Sequence, residues 1–358
     1  MRTVRLLDLG FVSPLRSQTV FHAVAYAMTA NTPDTILLVS PNAPYVCIGY
    51  HQDLEREVDL DYCRAHNLPV YRREVGGGAV YLDSGQLFTQ WIFHRGHLPA
   101  SLEKRFELYI RPLVETYRAL GIEAYLRPIN DIHVAGKKIG GTGAAQMGIA
   151  EVVVGSLMFT FDKKTMARVL KVPSEKMRDK IYQSLEQYMT TMEEQLGSVP
   201  DREEVKSLYV RKCEEALGVK VVPGEWTEAE EAMARELDER FTSEEWLFQK
   251  GRLRPPVVKI HEDVYVVEAA YKVPGGLIRV VARLREGHID DISISGDFTV
   301  LPAFAVAAME QAVRGLRTTR EALAARLRDV YRSMNVQSPG VTPEDFATAI
   351  MSAASSKQ

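Results

Sequence analysis

Two short stretches of this 358-residue chain concentrate the residue types that could do chemistry. The first is RREVGGGAVYLD, from Arg72 to Asp83. Glycine lacks a Cβ, so a ligand can approach its backbone closely and neighbouring N–H groups can converge on an anion. Arg73 can add a charge-assisted, bidentate bond to a phosphate or carboxylate. The same residues would equally make a glycine hairpin with two solvated arginines beside it. No Gly-Lys-Ser/Thr follows, which excludes a P-loop. The strand-like run after the glycines excludes a dinucleotide fingerprint. The second stretch is NDIHVAGKKIGGTGAAQ, from Asn130 to Gln146. Lys137 and Lys138 open a strand there and face opposite sides of it. A lysine that points inward requires an anionic partner, because an unpaired buried charge is costly. Gly140, Gly141, Gly143, Ala144 and Ala145 then leave room for something bulky. The plain alternative is a polar surface hairpin whose second strand is weakened by glycine.

The surrounding pattern predicts the elements that position these residues. TVRLLDL and TILLVS read as strands, with a helix over RSQTVFHAVAYAMTA between them. A short helix in VDLDYCRAHNLP precedes three strand-like runs, VYRREV, GAVYLD and QLFTQWIFH. Phe106, Ile110, Leu113, Val114, Tyr117 and Leu120 recur at helical spacing, with Gly121 as the residue after the cap. Pro112 inside this pattern predicts a kink or a split. AYLRP, DIHVAGKKIGG and AEVVVGSLMFTF read as strands, with a turn at Ala135-Gly136. Residues 163–250 are mainly helical in pattern, and Thr227 with Glu230 has capping-box spacing. Pro255 and Pro256 exclude helix and mark the best boundary. Beyond them come short strands with a hairpin turn at Gly275-Gly276, then helices. Thr318 with Glu321 repeats the capping-box spacing, and Pro343 fits a first helical position. The expectation is an α/β (α+β) protein with a mixed catalytic domain at 1–250 and a small α+β domain at 251–358.

Composition excludes several classes of function. A formal net charge of −3 gives no broad nucleic-acid footprint. No apolar run reaches the roughly 18 residues of a membrane span, and Asp8 and Gly10 interrupt any signal-peptide core. The cysteines, Cys47, Cys63 and Cys213, are three and widely spaced. They form neither a disulfide framework nor a CxxC metal site, which fits a reducing, cytoplasmic compartment.

Together the two stretches resemble the lipoate-protein ligase A family, part of the wider biotin and lipoate ligase fold. That family carries RR-x-x-GGG-x-V-x-x-D and, some sixty residues later, N-D followed by G-x-K-[VI]-x-G. Here the first is Arg72-Arg73-Glu74-Val75-Gly76-Gly77-Gly78-Ala79-Val80 with Asp83. The second is Asn130-Asp131 with Lys138-Ile139-Gly140-Gly141. GGLIRVVARLREGHIDDISISGDF is similar to the family's small C-terminal accessory domain.

The resemblance implies a two-step ligase reaction. Lipoate and MgATP give lipoyl-adenylate and pyrophosphate, and a lysine of a lipoyl carrier, a lipoyl domain or an H-protein-like partner, then attacks the mixed anhydride. By the same resemblance Lys138 contacts the activated acyl group and the adenylate, and Arg73 meets the phosphates. Gly76, Gly77, Gly78 and Gly141 line the acyl and adenylate pocket. Val80 offers backbone groups to adenine, Asp83 closes the motif, and Asn130 and Asp131 lie beside the nucleotide, Asp131 as a ligand for Mg²⁺. Some positions depart from the family. The first helix has Phe21, His22 and Ala25 where an N-x-A-x-E arrangement is usual. Leu82 stands where His is frequent, and Gly140 where Ser is usual. These departures bear on acyl specificity and on the identity of the carrier. His22 reads as a packed or surface histidine.

Two rival readings are an octanoyl or lipoyl transferase of the same fold, which needs a cysteine nucleophile, and a non-catalytic carrier-binding protein. The runs where related transferases keep their cysteine, MGIAEVVVGS and LRPIND, contain none, and all three cysteines read as structural. A pure binder would not need both Lys138 and Arg73. A biotin ligase usually has a GRGR-like stretch and an N-terminal winged helix, and neither is visible.

Overall fold

A computed structural model describes residues 2–251 and 264–355. The Pro255-Pro256 boundary lies outside the described residues. The chain divides into two compact units, one comprising residues 1–47, 58–71 and 80–243, the other residues 48–57, 72–79 and 244–358. The sheets and flanking helices are those of the mixed α/β architecture expected from the sequence.

In chain order the strands up to residue 223 are β1 (Thr3–Val12), β2 (Thr35–Pro41), β3 (Tyr45–Ile48), β4 (Val70–Arg72), β5 (Val80–Leu82), β6 (Gln86–His94), β7 (Tyr125–Arg127), β8 (Asp131–Val134), β9 (Lys137–Met147), β10 (Ala150–Met158) and β11 (Lys220–Pro223). Eight of them form the sheet of the first unit in the order β11-β1-β2-β6-β10-β9-β8-β7. β1 runs parallel to β2 and β11, and the other pairings are antiparallel. Because β2 and β6 lie in the centre, helices cover both of their faces, and their side chains are almost all buried.

The two faces of this sheet differ. Thr89 and Trp91 of β6 stand opposite Gly155 and Val153 of β10 and share a face with them. Tyr109, from the helix Leu102–Ala119, fills that face and bonds Thr89 Oγ1 through its hydroxyl at 2.7 Å. Trp91 Nε1 donates to the Tyr209 hydroxyl of the helix Arg202–Leu217 at 3.0 Å. The helix Pro14–Tyr26 packs against β2, β6 and β10 from the other side. His22 of this helix is fully buried, its Nδ1 2.7 Å from Gln18 O, as a packed histidine should be.

Several local expectations hold and some need correction. The helix Leu102–Ala119 passes through Pro112 as one element, and Gly121 follows its cap with φ +87°. Ala135 and Gly136 both have positive φ, as a tight two-residue hairpin between β8 and β9 requires. The capping box of Thr227 and Glu230 forms. The strand expected over VYRREV stops at Arg72, and residues 73–79 form a loop.

The second unit holds β12 (Val264–Val273), β13 (Gly276–Arg285) and β14 (His288–Gly296), an antiparallel sheet in chain order. Val273 pairs with Gly276, so the turn residues are Pro274 and Gly275, one position earlier than expected. Its core joins Val280, Leu284, Ile294 and Phe298 to Leu327 and Phe346 from the helices that follow. One of these helices begins at Arg320 with Thr319 as its cap, and Thr318 instead donates its hydroxyl to Gly287 O at 3.2 Å. The expected capping box does not form, and Thr319 caps the helix without a side-chain hydrogen bond.

Arg5 on β1 is buried and pairs with the equally buried Glu230, whose other bonds close the capping box at Thr227. Removing one partner of a buried pair leaves a charge without compensation. Glu230→Ala is expected to lower the unfolding free energy by about 3–5 kcal/mol, with the double variant Arg5→Met/Glu230→Leu recovering much of it. Urea unfolding of the three proteins checks both expectations.

Candidate functional site

The residues singled out in the sequence fall into two groups, one in each unit. In the first unit, β8 and β9 bring Asp131 opposite Gly141. A register shift between Ile132 and His133 places Lys138 opposite His133. The Lys138 ammonium pairs with Asp131 Oδ1 at 2.8 Å. Lys138 thus has an anionic partner, although its side chain is half-exposed and not buried as an inward lysine would be. A Cβ on Gly141 would lie 3.0 Å from Lys138 Nζ and 3.5 Å from Asp131 Oδ1, so the missing side chain makes room for the ion pair. Lys137 turns elsewhere and donates to Glu186 O at 3.3 Å. The strand therefore separates the two lysines as its alternation predicts.

Asn130 is engaged with backbone. Its side-chain amide donates to Thr142 O, and its own carbonyl accepts from Thr142 N at 3.0 Å. These bonds fix the start of β8, and with it the position of Asp131. His133 was not marked by the sequence reading. It is buried, its Nε2 lies 3.8 Å from Asp131 Oδ2, and burial pushes its pKa below the usual histidine value. Its Nδ1 faces Gly136 O at 3.3 Å, which ties the ring to the hairpin turn. Its only sequence signal was its place between Asp131 and the lysines.

Val80 and Asp83 also lie in the first unit. Val80 pairs with Cys47 across β5 and β3. Asp83 Oδ1 accepts from Gly85 N at 2.8 Å, and Asp83 N donates to Gln86 Oε1 at 3.0 Å. Asp83 thus shapes the turn into β6, and burial raises its pKa above the ordinary carboxylate value.

Arg73, Gly76, Gly77 and Gly78 belong to the second unit. Arg73 Nη2 donates to Gly76 O and Gly78 O, each at 2.9 Å, so the arginine gathers the loop around its guanidinium. Gly77 has φ +95°, a conformation that glycine adopts without strain. A Cβ on Gly76 would meet Phe298 O at 2.7 Å, and one on Gly49 would meet Gly77 O at 1.9 Å. The loop is thus pressed against backbone on two sides.

Arg72 carries more of this geometry than the sequence suggested. It is fully buried. Its Nη1 donates to Gly49 O, Tyr50 O and Gln52 O at 3.1, 3.0 and 2.7 Å. Its Nη2 donates to Leu247 O at 2.7 Å, and Trp246 Nε1 returns a bond to Arg72 O at 2.9 Å. One planar guanidinium thereby ties residues 49–52 and 246–247 to the base of the glycine loop.

The cysteines offer no ready nucleophile. All three are buried. Burial pushes the Cys63 thiol up to about 11 and the Cys213 thiol up to about 12. Among the described residues no group of three His, Cys, Asp or Glu side chains could hold a metal ion, and no helix is long and apolar enough to cross a membrane.

Comparison with known proteins places this geometry in a family. Residues 15–214 match the family model of the lipoyl protein ligase A/B catalytic domain, and residues 265–350 match that of the bacterial lipoate protein ligase C-terminus. The chain is 34% identical over 225 residues to lipoate-protein ligase A subunit 1 of Thermoplasma acidophilum, covering 60% of this chain and 83% of that one. It is also 27% identical over 276 residues to the octanoyltransferase LipM of Kyrpidia tusciae, covering 70% of this chain and 100% of that one. A solved structure of a bipartite lipoate protein ligase from Thermoplasma acidophilum, described with its E2 lipoyl domain, superposes with a TM-score of 0.64 at 29% identity. It covers 72% of this chain and 100% of the other. The chain belongs to the lipoyl protein ligase A/B family of enzymes, in which both ligases and octanoyltransferases occur.

Proposed function

We propose that this chain is an ATP-dependent lipoate-protein ligase. It activates lipoate as lipoyl-adenylate and passes the lipoyl group to a lysine of a lipoyl carrier, such as a lipoyl domain or an H-protein-like protein. The observation that carries this reading over the transferase alternative is the state of the cysteines. A transferase stores the acyl group on sulfur and needs a thiolate at the site. Cys63 and Cys213 hold their protons well above neutral pH, and Cys47 is buried in β3. A ligase stores the activation energy in a phosphoric anhydride and needs fixed positive charge instead. Lys138, half-exposed and aimed by Asp131, supplies it.

The roles are those that the family resemblance implies, and the charges support them. Attack of a carboxylate on the α-phosphate brings two anions together, and a positioned ammonium lowers that barrier. Lys138 holds the acyl carboxylate and the adenylate, and Arg73 meets phosphate. By the resemblance the backbone of Gly76, Gly77 and Gly78 lines the ligand, and so does Gly141. Val80 offers backbone to the adenine. Magnesium usually takes one or two carboxylates together with substrate phosphates, so a single half-exposed Asp131 suits an ion that arrives with the nucleotide. Bound there, Mg²⁺ would neutralise the charge of the departing pyrophosphate. In this reading residues 1–250 form the catalytic domain, residues 251–358 an accessory one, and the protein works in the cytoplasm.

Lipoate-dependent ATP–pyrophosphate exchange tests the first step. Lys138→Ala is expected to raise its barrier by on the order of 3 kcal/mol, roughly a hundredfold or more in rate. Lys137→Ala is expected to change it far less, and equal losses would refute the assignment of Lys138.

A second measurement bears on sulfur. The variant with Cys47, Cys63 and Cys213 all replaced by Ala or Ser is expected to keep lipoyl transfer to a carrier, read by intact mass. Incubating the unmodified enzyme with octanoyl-carrier and no ATP is expected to leave no hydroxylamine-sensitive adduct on it. An adduct on one of these cysteines, with onward transfer, would establish the octanoyltransferase reading instead.

A further inference from the structure

Directly opposed residues in neighbouring antiparallel strands point to the same face of a sheet. Gly143 of β9 is opposite Val154 of β10, and Val154 is opposite Gln90 of β6. Gln90 is in turn opposite Leu37 of β2. Gly141 lies two residues before Gly143 and therefore shares this face, as does Asp131 opposite it. Gln90 thus lies on the face where Lys138 meets Asp131. The other face, with Thr89 and Trp91, is the one filled by Tyr109 and Tyr209.

A line drawn on this face from Gly141 to Gln90 crosses Gly143 and Val154. It runs two residues along a strand and two strands across, which is about 12 Å at ~3.4 Å per residue and ~4.8 Å per strand. That length suits a medium-chain acid whose carboxylate sits at Lys138. The path begins with two glycines, Gly141 beside the ion pair and Gly143 beyond it, neither of which adds a side chain to it.

At its end stands an amide. Gln90 is 3% exposed, and its Oε1 is buried without a hydrogen-bond partner. Leaving a buried carbonyl oxygen unpaired is unfavourable, whereas a leucine or methionine would pack here without that cost. A purely aliphatic chain running to this point would keep the oxygen unpaired. A chain with an O–H or S–H donor near its far end would pair it.

We propose that Gln90 is a specificity-determining residue, selecting acids that carry a hydrogen-bond donor near the end of a medium-length chain over plain octanoate. Among lipoate-related acids this favours the dithiol form, whose two S–H groups are donors. The inference rests on the proposed acyl-activating site at Lys138 and extends it to the far end of the substrate.

Titration calorimetry on the full chain tests it with three acids: octanoate, ω-hydroxyoctanoate, which adds one hydroxyl and nothing else, and dihydrolipoate. The wild type is expected to bind both donor-bearing acids about fivefold or more tighter than octanoate. Gln90→Met, close to isosteric, is expected to abolish or invert that preference while its melting temperature holds or rises. Gln90→Leu is expected to act in the same direction. A residue with a merely structural role would shift the melting temperature and leave the ratio of affinities alone. Equal binding of octanoate and ω-hydroxyoctanoate by the wild type overturns the proposal, and so does an unchanged ratio in Gln90→Met. Acid-dependent ATP–pyrophosphate exchange separates the two readings. Exchange with an unchanged ratio removes only the role of Gln90, and selective binding without exchange removes only the ligase assignment.

Discussion

Three consecutive glycines have no side chains with which to hold their own path. A loop of this kind keeps one shape only if other groups bind its backbone. Here Arg73 does so, and Arg72 holds the segments beside the loop. Arg73 lies within the loop and bonds the carbonyls of Gly76 and Gly78. Arg72, one residue earlier and turned the other way, is buried and bonds the carbonyls of residues 49, 50, 52 and 247. A guanidinium suits this task because its donors form a rigid fork. A lysine in place of Arg72 could not reach so many fixed acceptors at once. The pairing of permanent charge with flexible backbone is thus a structural solution, in which the guanidinium groups hold backbone carbonyls in place.

The residues on β8 and β9 obey a similar rule. A half-exposed ion pair such as Lys138–Asp131 adds little to stability. Its consequence is positional: the ammonium is drawn across Gly141 and kept on one face of the sheet. Asn130 anchors the strand start by bonding Thr142, and buried His133 faces the carbonyl of the hairpin turn at Gly136. Each residue around Lys138 therefore restricts where a single charge can be.

Much of this was legible in the sequence because it depends on neighbours along the chain. The hairpin at Ala135-Gly136, the capping box at Thr227 and the alternation of Lys137 and Lys138 are short-range features. What was not legible depends on partners far away. The burial of Arg72 follows from carbonyls near residues 50 and 247. The cap at Thr319 follows from a bond that Thr318 makes to Gly287. Pro112 stays within its helix because Phe106, Ile110, Leu113 and Tyr117 are all buried on that helix, and packing outweighs one missing backbone bond. Nor could composition show that residues 48–57 and 72–79 join the unit formed by the C-terminal part of the chain. Even so, the spacing of the two motifs was informative, since each residue type was needed by a local geometry.

The placement of sulfur shows how one scaffold can separate two chemistries. Cys213 sits on the helix Arg202–Leu217, hydrogen-bonded with Tyr209 and Trp91. Trp91 marks the sheet face opposite to that of Gln90 and Asp131, because neighbouring residues on β6 point to opposite sides. The layer of β6 and β10 thus stands between this thiol and the Lys138 ammonium. A nucleophile must reach the carbonyl carbon it attacks, and its proton must leave easily. Cys213 meets neither condition. For this thiol to act, the sheet would have to open or a strand would have to shift by one residue, and a one-residue shift would turn every buried side chain of that strand to the wrong face. The sheet itself thus keeps the Cys213 thiol away from the face that carries Lys138.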